Sequence, residues 1–181
     1  MKIMITGNPE KGLAAALKRV YPDADFASRS NGYDLTTKDG YKKLTDKITD
    51  YDVWINSSAL WKFNQTLLLD AVYKRCVEAK HDLHIVCIGS TTDRVMKATS
   101  WMYNAEKKAL RDYCNSLSLT HVWEGGPKVS LISFGSLSNV QAKHPTRTCM
   151  DIDQAVSYIK WIVDQPKELC INELSIDPIQ R

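Results

Sequence analysis

Ser90, Tyr103 and Lys107 are the side chains whose types and spacing could do chemistry together. Tyr103 and Lys107 stand four apart, and on a helix such positions lie one above the other on a single face. An ammonium placed there favours the phenolate and is expected to draw the tyrosine pKa down toward neutrality, which suits a general acid and base. Ser90 closes the apolar run Ile85-Val86-Cys87-Ile88-Gly89, so its hydroxyl is expected at the carboxyl end of a buried strand, thirteen positions before Tyr103. A Tyr-x-x-x-Lys pair alone also makes an ordinary helix-surface contact. The serine at that distance is what points to chemistry.

For these groups to converge, the chain must bring a strand end against a helix. Residues 2–6, 24–28, 52–56, 83–88, 129–134 and 170–176 read as short apolar strands. Residues 12–20, 39–49, 65–79, 100–116 and 152–163 carry apolar positions at helical spacing. Strands alternating with amphipathic helices require crossovers that put helices on both faces of a mostly parallel sheet. The expected fold class is therefore α/β: a doubly wound, Rossmann-like, three-layer α/β/α arrangement in a single compact domain over residues 1–181. In such sheets ligands bind beyond the carboxyl ends of the strands.

The first strand runs into Thr6-Gly7-Asn8-Pro9-Glu10-Lys11-Gly12-Leu13-Ala14. A glycine-bearing turn before a helix lets backbone N–H groups and the positive end of the helix dipole approach a phosphate, although two glycines also make an ordinary strand-to-helix turn. Ser28-Arg29-Ser30 follows the second strand. A carboxylate there would bind a free ribose 2′-hydroxyl, whereas the Arg29 guanidinium can pair with a 2′-phosphate, with Lys11 as a second cation; both also read as solvated surface cations. The third strand ends in the small, polar Asn56-Ser57-Ser58-Ala59.

Taken in order, these segments resemble the short-chain dehydrogenases/reductases from Met1 to about Ile176. Gly7, Asn8, Gly12 and Leu13 look like the family's phosphate loop, Asp34-Leu35 like its adenine-contacting pair, and Asn56-Ser57-Ser58-Ala59 like its Asn-Asn-Ala-Gly. The strand ending in Ser90 and the Tyr103/Lys107 pair resemble the catalytic segment. The resemblance implies proton exchange at Tyr103, hydrogen bonding of the substrate oxygen by Ser90 and a ribose contact from Lys107. It also implies a water relay held by Asn64, within a residue or two of the expected position. Gly135 and Leu137 fall where the nicotinamide end of the cofactor lies. In this family an arginine and a lysine at the places of Arg29 and Lys11 go with NADP(H) in preference to NAD(H). Four departures stand out: the loop between Gly7 and Gly12 is longer by a residue with Ala14 for the third glycine, no helix fits between Arg29 and Leu35, Phe134-Gly135 and Asn139 replace a Pro-Gly and a threonine, and residues 136–148 leave little room for a substrate lid.

The resulting expectation is an NADP(H)-dependent oxidoreductase acting on a small carbonyl or alcohol. The alternative is a non-catalytic NADP(H)-binding sensor or scaffold module. A Ser90 hydrolase is set aside because no G-x-S-x-G elbow surrounds the serine. With 24 basic and 21 acidic side chains, the +3 net charge is too small and too dispersed for a nucleic-acid partner. No apolar run is long enough to span a membrane, and the amino-terminal apolar stretch is too short for an export signal. Five scattered cysteines without metal-ligand spacing predict no metal site and reduced thiols, hence a cytoplasmic location. Relatives of the family pair through helices corresponding to residues 63–79 and 100–116, which implies a homodimer or homotetramer.

Overall fold

Runs rich in Ile and Val hide both faces of one sheet. The strands are β1 (Ile3–Thr6), β2 (Asp25–Ala27), β3 (Val53–Asn56), β4 (His84–Ser90), β5 (Lys128–Phe134) and β6 (Glu173–Ile176), and every pairing is parallel, in the order β2-β1-β3-β4-β5-β6. The computed structural model describes residues 1–94 and 100–180. Alternate strand residues feed two separate cores. Ile3, Ile5, Val53, Ile55, Val86 and Ile88 pack against α1 (Gly12–Val20) and α5 (Ile152–Val163). Met4, Trp54, Ile85 and Cys87 pack against α2 (Lys38–Thr45), α3 (Asn64–Ala79) and α4 (Tyr103–Glu124). This is the three-layer α/β/α arrangement that the alternating pattern predicts.

The carboxyl ends of two helices differ from the sequence expectation. The helix α4 continues past Ser116 to Glu124 because Leu117 and Ser118 keep its buried face going, and it stops only at Gly125, whose φ of 80° no ordinary helix residue adopts. The helix α2 is shorter than expected. Thr37 caps it by accepting from Gly40 N–H at 3.1 Å, and a separate 3₁₀ turn follows over Ile48–Asp50. At the β2 edge the chain turns directly through a 3₁₀ turn, Arg29–Asn31, with no helix before Leu35.

Consecutive strands run outward from β1 to β2 in one direction and from β3 to β6 in the other. The chain therefore reverses its winding between β1 and β3, and a crevice opens beyond Thr6 and Asn56, which face each other in register.

Candidate active site

Backbone geometry makes the turn after β1 glycine-specific. Gly7 has φ 146°, and a Cβ on it would lie 2.8 Å from the Ala14 methyl and 3.1 Å from Ser57 Oγ. Ala14 thus packs directly on the loop and draws α1 close to the sheet. Gly12 opens α1 with φ 54°, and Lys11 offers no side-chain cap, so the first amides of the helix face the crevice with their positive dipole end. Asn139 Nδ2 lies 3.3 Å from where a Gly12 Cβ would be, bringing the segment after β5 to the same helix terminus. Asn8 Oδ1 accepts from Glu10 N–H at 2.9 Å and holds the turn. Leu13 packs against the α1/α5 core rather than the crevice.

At the end of β2 the Arg29 side chain is 73% exposed, and its ion pair to Asp34 is long at 3.4 Å. It can therefore accept another anion without losing much. The Asp34 carboxyl is held below its usual range chiefly by hydrogen bonds from the Thr36 hydroxyl and amide, with Arg29 adding to the effect. Leu35 turns inward and is only 4% exposed. Asn56 is likewise fully buried, accepting from Thr6 Oγ1 and donating to the Gln65 carbonyl, so its amide ties β1, β3 and α3 together. The Leu13, Leu35 and Asn56 side chains therefore have packing contacts in this structure, Leu13 half-buried at the start of α1 and the other two buried. Ser57 Oγ donates to the Thr6 carbonyl across the β1/β3 gap, and Ser58 lies half-buried beside it.

The helix α4 begins at Tyr103, and its first turn faces the end of β4. Asn104 Nδ2 donates to the Thr92 carbonyl at 2.9 Å, docking the helix start on the residues after Ser90. The Ser90 hydroxyl stands near enough to Tyr103 to act on its phenol, in the sense of lowering the pKa. Lys107 Nζ lies 5.5 Å from the centre of the Tyr103 ring, beneath the ring rather than beside its oxygen. It is 5% exposed and donates to Gln65 Oε1 at 2.7 Å and to the Ile88 carbonyl at 3.1 Å. Burial pushes the Lys107 pKa down to about 8. Burial also raises the Tyr103 pKa, against the lowering hydrogen bond from Ser90. The expected downward shift of the tyrosine is thus overturned: desolvation, with the Glu106 and Asp93 charges acting the same way, outweighs the lowering from Ser90.

Asn64, the expected fourth member, faces elsewhere. Its Oδ1 accepts from Tyr41 Oη at 2.8 Å and its Nδ2 donates to the Trp61 carbonyl at 2.6 Å. The adjacent Gln65 takes the place beside Lys107, and its Nε2 also donates to the Asn56 and Ile88 carbonyls, each at 3.0 Å. Sequence reasoning missed Gln65; the signal was present only as a second amide next to Asn64 at the start of a helix.

At the other side of the crevice, Gly135 leaves no room for a side chain, since a Cβ there would meet Asp177 Oδ1 and Pro178. Leu137 is pinned by a parallel bridge to Met150. Residues 95–99, between Ser90 and Tyr103, lie outside the described residues. Among the described residues no cluster of His, Cys, Asp and Glu could hold a metal, and no helix is long and apolar enough to cross a membrane. A cavity of about 560 Å³ at the opposite, amino edge of the sheet is lined by Asp52, Leu83, His84, His121 and Lys128, far from these hydroxyls.

No family model matches the sequence, and no curated protein matches it by sequence. Solved structures do match. Serine dehydrogenase from Escherichia coli is 17% identical, with 97% of each chain covered and a TM-score of 0.74. The fold is that of the short-chain dehydrogenases. A 4-hydroxyisoleucine dehydrogenase complexed with NADH is 16% identical, covering 97% of this chain and 96% of that one at TM-score 0.74. A short-chain type dehydrogenase/reductase from Mycobacterium marinum is 13% identical, covering 97% and 93% at TM-score 0.74.

Proposed function

We propose that the chain is an oxidoreductase that interconverts a carbonyl and an alcohol, prefers NADP(H) to NAD(H), and uses Tyr103 as its general acid and base. One observation carries the reading: a phenol at the start of α4, beside the strand-end Ser90 hydroxyl and underlain by a buried ammonium. The likeness of the fold to dehydrogenases supports it.

The residues fit a dinucleotide. Gly7 and Gly12 bring bare backbone and the α1 terminus to where a pyrophosphate would lie, with Ser57 and Ser58 alongside and Gly135 and Leu137 toward the nicotinamide. The exposed Arg29 and Lys11 suit a 2′-phosphate. When bound, a reduced nicotinamide supplies the hydride. Ser90 Oγ orients the substrate oxygen. Tyr103, kept neutral by burial, donates its proton to that oxygen, and the Lys107 ammonium stabilises the phenolate left behind. Two of the three Lys107 donors are committed to Gln65 and Ile88, leaving one for a ribose hydroxyl. Gln65 replaces Asn64 in this assignment as the polar link behind the lysine.

The test is turnover of a carbonyl panel with NADPH. Tyr103→Phe is expected to lower kcat by about 10²-fold or more. Binding of NADPH without any turnover that the variant abolishes would favour a non-catalytic module instead. Replacing Arg29 with Asp is expected to shift preference toward NADH, and an unchanged preference removes the 2′-phosphate assignment. Buried, unpaired Cys76, Cys87 and Cys114 accord with a reducing, cytoplasmic setting. Exposed Leu67 and Val77 on α3, with Leu119 and Val122 on α4, accord with a homodimer or homotetramer built through those helices.

A further inference from the structure

Trp61 precedes α3, Trp101 precedes α4, and the two indoles meet over the ring of Tyr103. The Trp101 and Tyr103 rings stack with centroids 4.8 Å apart, the Trp61 ring lies 5.7 Å from Tyr103, and the two indoles lie 6.4 Å apart at 46° to each other. They form a wedge, not a closed stack, with Trp61 56% and Trp101 57% exposed.

Exposed indoles cost solvation and are normally free to swing, yet the Trp61 loop is held in place at some expense. Lys62 and Phe63, neither of them glycine, both sit at φ 59°, a left-handed conformation costing about 1 kcal/mol or more each. Three polar contacts keep it there. Lys62 N–H donates to Glu106 Oε1 at 2.7 Å, from a carboxylate only 7% exposed on the α4 turn that carries Tyr103 and Lys107. The Trp61 carbonyl accepts from Asn64 Nδ2 at 2.6 Å and from Asn64 N–H at 3.2 Å. The loop's position is therefore coupled to the catalytic helix, and the feature that this strained, anchored loop presents is an indole beside the proton donor.

We propose that Trp61 and Trp101 wall a substrate subsite, and that the substrate is a ketone, aldehyde or alcohol bearing a flat, uncharged aromatic group next to its reacting carbon. The inference rests on the oxidoreductase reading and goes on to name its substrate class. The two indoles already touch each other and the Tyr103 ring, so a substrate ring would pack on their exposed outer faces and edges beside the phenol. A cationic group is disfavoured by the Lys107 ammonium already seated 5.5 Å from the centre of the Tyr103 ring.

The experiment compares acetophenone with cyclohexyl methyl ketone, its saturated counterpart, in NADPH-dependent reduction by the full chain. Wild-type protein is expected to favour acetophenone, and Trp61→Ala and Trp101→Ala are each expected to cut the ratio of the two kcat/KM values by about fivefold to tenfold, with Trp61→Phe restoring most of it. A wild-type preference for the saturated ketone or for a trimethylammonium ketone, or a ratio that neither alanine variant moves, overturns the proposal. Titration of acetophenone against the indole N–H resonances by NMR separates the two readings. If neither ketone is reduced but the Trp61 and Trp101 resonances shift, the subsite stands and the oxidoreductase reading falls. If those resonances do not shift, the subsite falls whatever the turnover.

Discussion

Asn64 and Gln65 are neighbouring amides to which the fold assigns different tasks. Asn64 serves the Trp61 loop, while Gln65 reaches the Lys107 ammonium. Gln65→Leu deletes an acceptor from a buried cation and is expected to cost about 1–3 kcal/mol of stability. It should also lower the Lys107 pKa below its value of about 8, moving the alkaline limb of the reductive pH profile to lower pH. Asn64→Ala should leave that limb where it is, a contrast readable from pH–rate profiles of the two variants. The same lysine makes a stability prediction. Its folded pKa of about 8 lies below the 10.5 of an exposed lysine, so between those values the unfolded chain binds a proton that the native state does not. The burial cost is felt in full below about pH 8, and stability contributed by this group rises from about pH 8 toward 10. Above that, tyrosines such as Tyr51 and Tyr113, whose pKa values are raised, act in the opposite sense. Buried Cys76 and Cys114, whose thiol pKa values are raised, oppose that rise from about pH 9, so the lysine's share is read as the difference between wild type and Lys107→Met in urea titrations across pH 8–10.

At the scale of elements, caps and close approaches decide where helices start. Asp151 Oδ1 accepts from the Asp153 amide at 2.7 Å and the Gln154 amide at 3.3 Å, so Asp151→Ala is expected to lower stability by about 1 kcal/mol, measurable by chemical denaturation. Gly7→Ala adds a methyl at a left-handed φ into contact with Ala14. It should lower stability by about 1–3 kcal/mol and, by pushing α1 off the sheet, weaken NADPH binding in a fluorescence titration. These starts were legible because glycine and proline punctuate the sequence. The end of α4 was less so. Polar Asn115 and Ser116 look like a stop, yet Asn115 donates to Glu173 Oε2 at 3.0 Å and Ser118 Oγ to Asn172 Oδ1 at 2.7 Å, partners more than fifty residues away that keep the helix going.

Over the whole molecule, the two cores leave α3 and α4 with apolar residues on their outer faces. Leu67→Glu combined with Leu119→Glu is expected to convert an assembly to monomers in sedimentation velocity, with the circular dichroism unchanged because both side chains are about half exposed. The far edge depends on Glu173 of β6, which accepts from Arg94, Arg111 and Asn115 and so joins the strand to the end of β4 and to α4. No local pattern in the sequence points to that hub.

Strand and helix order, the double winding and the Ser90/Tyr103/Lys107 set follow from the sequence alone, because periodicity and spacing are local properties that survive without a partner. Which amide meets the lysine, which strand-end residues turn inward, and whether the phenol gains or loses acidity were decided by the tertiary structure. Each of these turns on burial and on contacts between segments far apart in the chain, where a rotation of one residue along a helix or the exclusion of a few waters changes the answer.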